Sequence, residues 1–264
     1  MPQDNSPFEA TDHRPWPHPA SPWRLRQRWS RLLFAHWPMP AAAIQSKLPA
    51  GLCVDTFDGW AWLGVVPFVM DRVRFRTLGQ SSVSVPTATA FPELNLRTYV
   101  VGPDGRPGVY FFSLDAGSLL AVVGARIGFG LPYFWARMTE RSDDDTIHYT
   151  SRRLLGGKHA NGNFDGSFRS LGRPAAMDDL QHFLTARYAL YVRRFGSVQV
   201  GEIHHRPWQL QQADAEFRTN TLATSFGFTL PNRPPLLHYS QEIEMEAWTL
   251  HRVRQAQAAP VRRA

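Results

Sequence analysis

The sequence predicts a mainly antiparallel β protein with a few helices, or α+β by count of elements. Short apolar stretches are separated by turn dipeptides such as Asp58-Gly59 and Asp104-Gly105, a pattern typical of strands joined by hairpins. Long stretches of helical periodicity occur only at residues 116–127 and 178–194. With no repeat of fixed period, this pattern indicates one curved antiparallel sheet or barrel-like sandwich.

The composition fits a single large domain, which we place at residues 23–250. Of the 264 residues, 43% are hydrophobic and 12% are aromatic, which is ample core material. Cys53 has no second cysteine to pair with, as expected in a reducing cytoplasm. No apolar run approaches the roughly 20 residues of a membrane-spanning helix, and residues 1–22 lack the apolar segment of a signal peptide. We therefore predict a cytoplasmic protein with no membrane partner.

The formal net charge of +7 comes almost entirely from arginine. The arginines are dispersed and no nucleic-acid-binding motif joins them, so we predict no nucleic-acid partner. There is no phosphate-binding loop or dinucleotide fingerprint. The adjacent His204 and His205 would point to opposite faces of a strand. The sequence therefore predicts no cofactor and no metal site. It leaves the oligomeric state open and is compatible with a homo-oligomer.

The N-terminal part begins with residues 1–22, whose many prolines predict a disordered segment. Residues 23–36 suit either a short helix or a strand. Pro40 suits the first turn of a helix that continues through Leu48, because Ile44 and Leu48 are four residues apart and share one face.

Three strands are predicted next. Residues 52–57 and 60–70 flank the turn Asp58-Gly59 and should form a hairpin. Residues 72–76 alternate arginine with less polar residues, which indicates a half-buried strand with a solvated basic face.

The strand predicted at residues 91–100 carries the strongest chemical signal. Polar residues alternate along one face, and they are Glu93, Asn95, Arg97 and Tyr99. The flanking sequence is aromatic and apolar, so we expect a carboxylate and a guanidinium aimed into a cavity. The turn at residues 103–105 should pair this strand with residues 108–114 in a second hairpin.

The next helix, at residues 116–127, is apolar almost all round and should be enclosed. An extended run follows at 132–138. The like charges at 143–145 indicate a solvated turn, and residues 146–152 and 164–170 should form antiparallel strands.

The C-terminal part is predicted to contain an amphipathic helix at residues 178–194 and strands at 197–204 and 238–248. The basic residues 251–264 form a tail.

Several segments together resemble the YqjF-like bacterial family of unknown function, which is placed with acetoacetate decarboxylase-like folds. The segments are Trp62 with Pro67-Phe68, residues 93–100, residues 108–115, residues 183–188 and residues 205–210. The resemblance covers roughly residues 23–250. It implies a cone-shaped, mostly antiparallel barrel around an enclosed apolar pocket.

The resemblance also implies where catalytic groups would lie. Acetoacetate decarboxylase-like catalysis uses a Schiff-base lysine just after a proline, together with a glutamate from a nearby strand. Glu93 falls at the glutamate position, whereas Pro132-Tyr133 stands where the proline and lysine would be. Lys47 and Lys158 lie at a helix end and in a Gly/Asn-rich loop. The resemblance therefore implies a pocket without its Schiff-base lysine.

The candidate roles follow from these positions. Glu93 is the candidate acid/base and Tyr133 a candidate catalytic donor to a developing oxyanion. Arg97 is the candidate clasp for a substrate carboxylate, with Asn95 and Tyr110 as further substrate-binding residues. The alternatives are a structural ion pair between Glu93 and Arg97 and core positions for the others.

Two functions remain open for this pocket. One is a lysine-independent enzyme, lyase-like or isomerase-like, acting by acid/base chemistry on a small carboxylated or carbonyl compound. The other is a non-catalytic protein that binds a small-molecule ligand and has lost the lysine. Fold resemblance does not decide between them.

Overall fold

The computed structural model describes residues 8–76, 82–84, 90–118, 130–155 and 157–253. Within these ranges, fourteen strands form one sheet. The strands are β1 (Leu25–Pro40), β2 (Cys53–Val54), β3 (Trp60–Arg76), β4 (Ser82–Ser84), β5 (Phe91–Val101), β6 (Pro107–Ala116), β7 (Tyr133–Asp143), β8 (Thr146–Arg153), β9 (Asn163–Pro174), β10 (Ala189–Arg194), β11 (Ser197–His205), β12 (Gln211–Asn220), β13 (Leu236–Ala247) and β14 (His251–Arg252). The helices are α1 (Ala41–Gln45), α2 (Asp179–Thr185) and α3 (Leu222–Ser225), with a 3-10 turn at Gly157–His159. The predicted fold class, mainly antiparallel β with a few helices, is confirmed.

Nine of the strands close into a barrel. Their order is β6-β7-β8-β9-β12-β13-β1-β3-β5, and β5 pairs back onto β6. All these neighbours are antiparallel except β6 and β7, which are parallel. The interior of this barrel is filled by apolar side chains, among them Leu94, Leu96, Tyr149 and Phe164.

A second closed ring shares five of these strands. The strands β10 and β11 bridge β6 to β13, so that β13, β1, β3, β5, β6, β10 and β11 surround a second interior. The shared strands are therefore buried on both faces. Because side chains alternate along a strand, β5 sends Leu94 and Leu96 into the nine-stranded barrel and Glu93, Asn95 and Arg97 into the seven-stranded ring.

Two bulges change which residues of β1 and β3 point into the second interior. Arg31 in β1 and Arg72 in β3 each have φ of 50°, and the register of the β1–β3 pairing shifts near both. A bulge reverses which residues point inward. The inward residues of β3 are even-numbered up to Met70 and odd-numbered at Val73 and Phe75. Arg72 and Arg74 are exposed, as the interpretation of a solvated basic face predicts.

The structure corrects several predictions in the N-terminal third. Residues 25–36, for which either a short helix or a strand was predicted, lie in β1, and this strand continues to Pro40. The helix predicted to continue through Leu48 is shorter in the structure, where α1 has only five residues and ends at Gln45. The turn at Asp58-Gly59 forms, but β2 pairs with β5 instead of β3, leaving one bridge from Phe57 to Trp60. The predicted hairpin between β2 and β3 does not form, because β3 pairs with β1 on one side and with β5 on the other.

The helix predicted at 178–194 is correct only in its first half. Asp178 caps α2, accepting hydrogen bonds from the backbone N–H groups of Leu180 (2.9 Å) and Gln181 (3.1 Å). The helix ends at Thr185 and the chain continues as β10. The tyrosines that suggested a helical face lie at 188 and 191 and are buried by the pairing of β10 with β6 and β11, so tertiary pairing overrides local periodicity. Strand β12 was not predicted.

Other predictions are confirmed. The strands β5 and β6 form the second hairpin, and β8 and β9 are antiparallel. Residues 143–145 turn between β7 and β8. Ala116 ends β6, and the rest of the helix predicted at 116–127 lies outside the described residues from 119 onward, as does the tail from 254. No helix among the described residues is both long and apolar enough to cross a membrane.

Residues 8–22 have an irregular backbone and contact the barrel through polar groups. The Arg14 guanidinium is buried and donates to the Ile203 carbonyl oxygen (2.7 Å). His13 Nε2 lies 2.9 Å from the His205 carbonyl oxygen. Prolines prevent regular structure here, while these polar anchors fix the segment on the outer face of β11.

Candidate functional site

The seven-stranded ring contains a cavity of about 220 Å³. Its wall is mostly apolar, and its charged or titratable side chains are Glu93, Arg97, Tyr133, Arg187 and His205. A largely apolar cavity with a few convergent polar groups is the usual form of a small-molecule site.

Glu93 lies on the wall contributed by β5 and is only 2% exposed. The Tyr133 hydroxyl donates to its Oε2 over 3.0 Å. Burial raises the pKa of Glu93 to about 8, against the opposing effect of hydrogen bonds from Tyr133 and Asn95, and the charge of Asp115 adds to the rise. Glu93 therefore carries a proton at neutral pH.

Tyr133 reaches Glu93 because the start of β7 pairs in parallel with β6, placing Tyr133 beside Leu114. Burial, together with the neighbouring Glu93, raises the pKa of Tyr133 well above its ordinary value. The phenol is thus a neutral hydrogen-bond donor. The structure brings together the two predicted catalytic residues, with the phenol proton directed at Glu93.

The backbone of Glu93 is contacted by a residue from the nine-stranded barrel. Tyr149 crosses the filled core and its hydroxyl lies 2.7 Å from the Glu93 carbonyl oxygen and 3.1 Å from that of Phe68. This contact fixes the position of β5 at Glu93 without touching the carboxyl group.

Arg97 is buried in the cavity wall at 9% exposure. Its Nη2 makes only long contacts, 3.4 Å to the Tyr99 hydroxyl and 3.5 Å to the Leu184 carbonyl oxygen, and its guanidinium lies 5.1 Å from the centre of the Phe34 ring. Its Nε has no hydrogen-bond partner within the described part of the chain. Among the described residues, no carboxylate is in ion-pair distance of Arg97, so the alternative of a Glu93–Arg97 ion pair is not what the structure contains.

Behind Arg97, Tyr99 is fixed by His36, whose Nε2 lies 2.6 Å from the Tyr99 hydroxyl. Burial lowers the pKa of His36 well below its ordinary value, and the charge of Arg97 lowers it further. The imidazole is therefore neutral and adds no second positive charge beside Arg97.

Of the two other predicted site residues, one lines the cavity and the other does not. Asn95 faces the cavity, and its Oδ1 has no hydrogen-bond partner in the described structure. Tyr110 does not line the cavity, which corrects its prediction as a substrate-binding residue. A bulge in β6 between Phe111 and Ser113 reverses the alternation, so Tyr110 packs on the other face of the strand, with its ring centre 5.3 Å from that of Phe112.

Two titratable cavity residues were not predicted from the sequence. Arg187 follows α2 and is paired with Asp55 at 2.6 Å. His205 ends β11, and burial lowers its pKa to about 4. Both reach the cavity only through the closure by β10 and β11, for which the sequence carries no local signal.

The chain has two lysines, Lys47 and Lys158. Both are exposed and neither lines the cavity. Within the described residues, no three His, Cys, Asp or Glu side chains are arranged so that they could hold a metal ion.

Comparison with solved structures shows the same fold at low sequence identity. An acetoacetate decarboxylase-like enzyme from Sphingomonas wittichii RW1 gives a TM-score of 0.56 at 14% identity, covering 89% of this chain and 94% of that one. The enduracididine biosynthesis enzyme MppR complexed with pyruvate gives 0.58 at 10% identity, covering 89% and 92%. The acetoacetate decarboxylase of Legionella pneumophila gives 0.55 at 13% identity, covering 92% and 94%.

Sequence comparison gives a closer relationship. The chain is 43% identical over 232 residues to the uncharacterized protein YqjF of Bacillus subtilis (strain 168), covering 87% of this chain and 93% of the relative. Residues 26–244 match the sequence profile of DUF2071, described as an uncharacterized conserved protein. The fold is therefore acetoacetate decarboxylase-like, and the chain belongs to the DUF2071 family.

Proposed function

We propose that this protein binds a small carboxylated or carbonyl compound in the seven-stranded ring, with Arg97 as anion clasp and Glu93 as acid/base. The observation that carries the proposal is the Arg97 guanidinium, buried in the cavity wall without a carboxylate partner among the described residues. A buried cation is costly unless it is paired. A ligand carboxylate would supply the missing partner and accept two hydrogen bonds from the guanidinium fork.

The second group of the proposed site is the protonated Glu93, which lies two residues before Asn95 on the same face of β5. Its pKa of about 8 lies close to neutral pH, where a carboxyl group can both donate and recover a proton. Proton transfer to or from a position beside a carbonyl group is the step that isomerase-like and lyase-like reactions share. Neither exposed lysine takes part, so the proposed chemistry proceeds without an imine.

The pyruvate-bound MppR structure shows that a protein of this fold holds a compound with both a carboxylate and a carbonyl group. This is a property of MppR, and at 10% identity it transfers to the present chain only as support for the ligand class.

The alternative is a non-catalytic ligand-binding protein that has lost the Schiff-base lysine, with Tyr133 in its place. The hydrogen bond from Tyr133 to Glu93 favours this reading, because it engages the phenol within the protein. The ligand contacts are the same in both cases, and only turnover distinguishes them.

Thermal unfolding in the presence of defined acids tests the proposal. Pyruvate and butanoate should raise the Tm, since a ligand that binds only the folded state stabilises it by mass action, whereas butanamide should not. In Arg97→Met the response to both acids should disappear, while the exposed Arg74→Met should respond like the wild type. Equal responses to butanoate and butanamide, or a full response in Arg97→Met, would refute the anion clasp.

A further inference from the structure

The two polar groups of the proposed site are well separated along β5. Glu93 and Arg97 are four residues apart on this strand, and both line the cavity. At about 3.3 Å per residue, four residue steps correspond to roughly 13 Å between their Cα atoms. A ligand that contacts both side chains at once must therefore span much of this distance.

The two side chains also diverge across the sheet. Glu93 accepts its hydrogen bond from Tyr133 of β7, which lies on the β6 side of β5. The Arg97 guanidinium instead lies 5.1 Å from the centre of the Phe34 ring of β1, on the β3 side. Its Nη2 contacts the Tyr99 hydroxyl, two positions further from Glu93 along β5. The side chains thus extend to opposite sides of the strand, which keeps their polar atoms apart.

The electrostatics of Glu93 agree with this separation. Burial raises the pKa of Glu93, and the charge of Asp115 adds to the rise, while hydrogen bonds oppose it. A guanidinium within about 4 to 6 Å would lower the pKa of a carboxyl group. Among the causes that the described residues contribute to this shift, the Arg97 charge does not occur. Arg97 and Glu93 are therefore two distinct binding groups, one for an anion and one for a neutral oxygen atom.

The wall between the two groups is largely apolar. Asn95 is the intervening residue of β5 on this face, and its neighbours on the adjacent strands are Val66 of β3 and Leu114 of β6. All three residues line the cavity. Methylene groups of a ligand can pack against Val66 and Leu114 as the chain passes from Arg97 to Glu93.

We infer that the ligand is a linear oxo acid with its carboxylate at Arg97 and, on about the fifth to seventh carbon, a carbonyl group whose oxygen lies at Glu93. The inference rests on the proposed function, because it assumes that Arg97 binds the carboxylate. Hydrogen bonds of about 2.8 Å at each end leave roughly 7 Å of the separation for the ligand. An extended chain advances about 1.2 Å per bond, so this length corresponds to about six bonds or more between the two oxygen atoms. In pyruvate the two groups are adjacent, and a pyruvate bound at Arg97 would leave Glu93 without a contact.

The test is titration calorimetry at about pH 6.5 with two acids of equal length, 2-oxoheptanoate and 6-oxoheptanoate. Because the chains have the same number of carbons, their burial contributes equally, and only the position of the carbonyl group differs. The wild type should bind 6-oxoheptanoate about fivefold more tightly, which is the effect of one net hydrogen bond. At about pH 9.5, above the Glu93 pKa of about 8, the carboxylate has no proton to donate and the preference should disappear.

Glu93→Gln separates hydrogen-bond donation from titration. The glutamine amide can still donate to the carbonyl oxygen and does not ionise, so this variant should prefer 6-oxoheptanoate at both pH values. Arg97→Met should weaken the binding of both acids, whereas Arg74→Met, at an exposed position, should bind them like the wild type.

The outcomes separate the inference from the proposed function. If both acids bind equally at about pH 6.5 and their binding depends on Arg97, the clasp stands and the inferred spacing is wrong. A preference that persists at about pH 9.5 in the wild type would show that Glu93 is not the donor, which also overturns the inference. If neither these acids nor butanoate binds to the wild type, the proposed function fails and the inference fails with it.

Discussion

The Tyr133 hydroxyl donates a hydrogen bond to Glu93 Oε2 over 3.0 Å inside the cavity wall. The two residues are 40 positions apart in sequence and belong to strands that are not paired with each other. Their contact determines what each can do. The phenol stabilises the ionised carboxyl group, burial opposes ionisation more strongly, and the balance leaves the pKa of Glu93 about where an acid/base group is useful at neutral pH.

The raised pKa of Glu93 makes stability depend on pH. A carboxyl whose pKa is higher in the folded state than the unfolded value of about 4.3 stabilises the fold fully below that value, and this contribution is lost as pH rises through about 8. We expect the free energy of unfolding to fall between pH 5 and 8 by up to about 1.4 kcal/mol per pH unit from this group.

Glu93→Gln should abolish that dependence while keeping the fold, because a glutamine amide resembles the protonated carboxyl group. The measurement is urea unfolding of both proteins across this pH range. Comparing the two removes the contribution of buried histidines such as His205, whose lowered pKa acts in the opposite direction, with stability lost as pH falls below about 6.5. Parallel pH profiles for wild type and Glu93→Gln would show that Glu93 is ionised in the folded protein.

Tyr133→Phe should raise the pKa of Glu93 above about 8. It removes a donor to the carboxylate but leaves the burial, and a hydrogen bond to a charged group corresponds to about one pH unit or more. In pH-dependent unfolding, the decline in stability should extend to higher pH. The matched control is Tyr149→Phe, because that hydroxyl contacts the Glu93 backbone oxygen at 2.7 Å and not the carboxyl group. Tyr149→Phe should lower stability without shifting the pH range over which stability declines. If Tyr133→Phe also leaves that range unshifted, the Tyr133 hydroxyl does not lower the pKa of Glu93.

Arg97→Met should stabilise the ligand-free protein by about 1 kcal/mol or more, because an apolar side chain of similar length replaces a buried charge that has no carboxylate partner among the described residues. Arg187→Met provides the contrast. That guanidinium is paired with Asp55 at 2.6 Å, so its removal leaves a carboxylate without its partner and should destabilise. Chemical unfolding without ligand measures both. Destabilisation of equal size in the two variants would mean that Arg97 has a structural partner after all.

The sequence predicts the polar face of β5 correctly because the alternation of Glu93, Asn95 and Arg97 is a local property of one strand. It does not predict that both faces of this strand are buried, since that depends on β5 belonging to two closed rings at once. The error at Tyr110 has the same kind of cause. A single extra residue in β6 changes which side chains face the cavity, and nothing in the local sequence signals the bulge.

The closure by β10 and β11 could not be predicted for a different reason. The spacing of apolar residues after α2 fits a helix as well as a strand, and the strand forms because β10 finds a parallel partner in β6, about 80 residues earlier in the chain. The cavity and the positions of Arg187 and His205 depend on this long-range pairing. The sequence therefore predicts which polar residues of β5 share one face, but not the ring that encloses them.

Borohydride should trap no imine on this protein in the presence of pyruvate. An imine requires a lysine amine placed next to the carbonyl group of the bound compound. Lys47 and Lys158 are both exposed and lie outside the cavity. Intact mass spectrometry after reduction should show the unmodified mass, with a Schiff-base-forming acetoacetate decarboxylase treated in parallel as the positive control. A reduced pyruvate adduct lost in Lys158→Arg or Lys47→Arg would show that a lysine is the nucleophile, and the role proposed for Glu93 would then have to be reassigned to an imine mechanism.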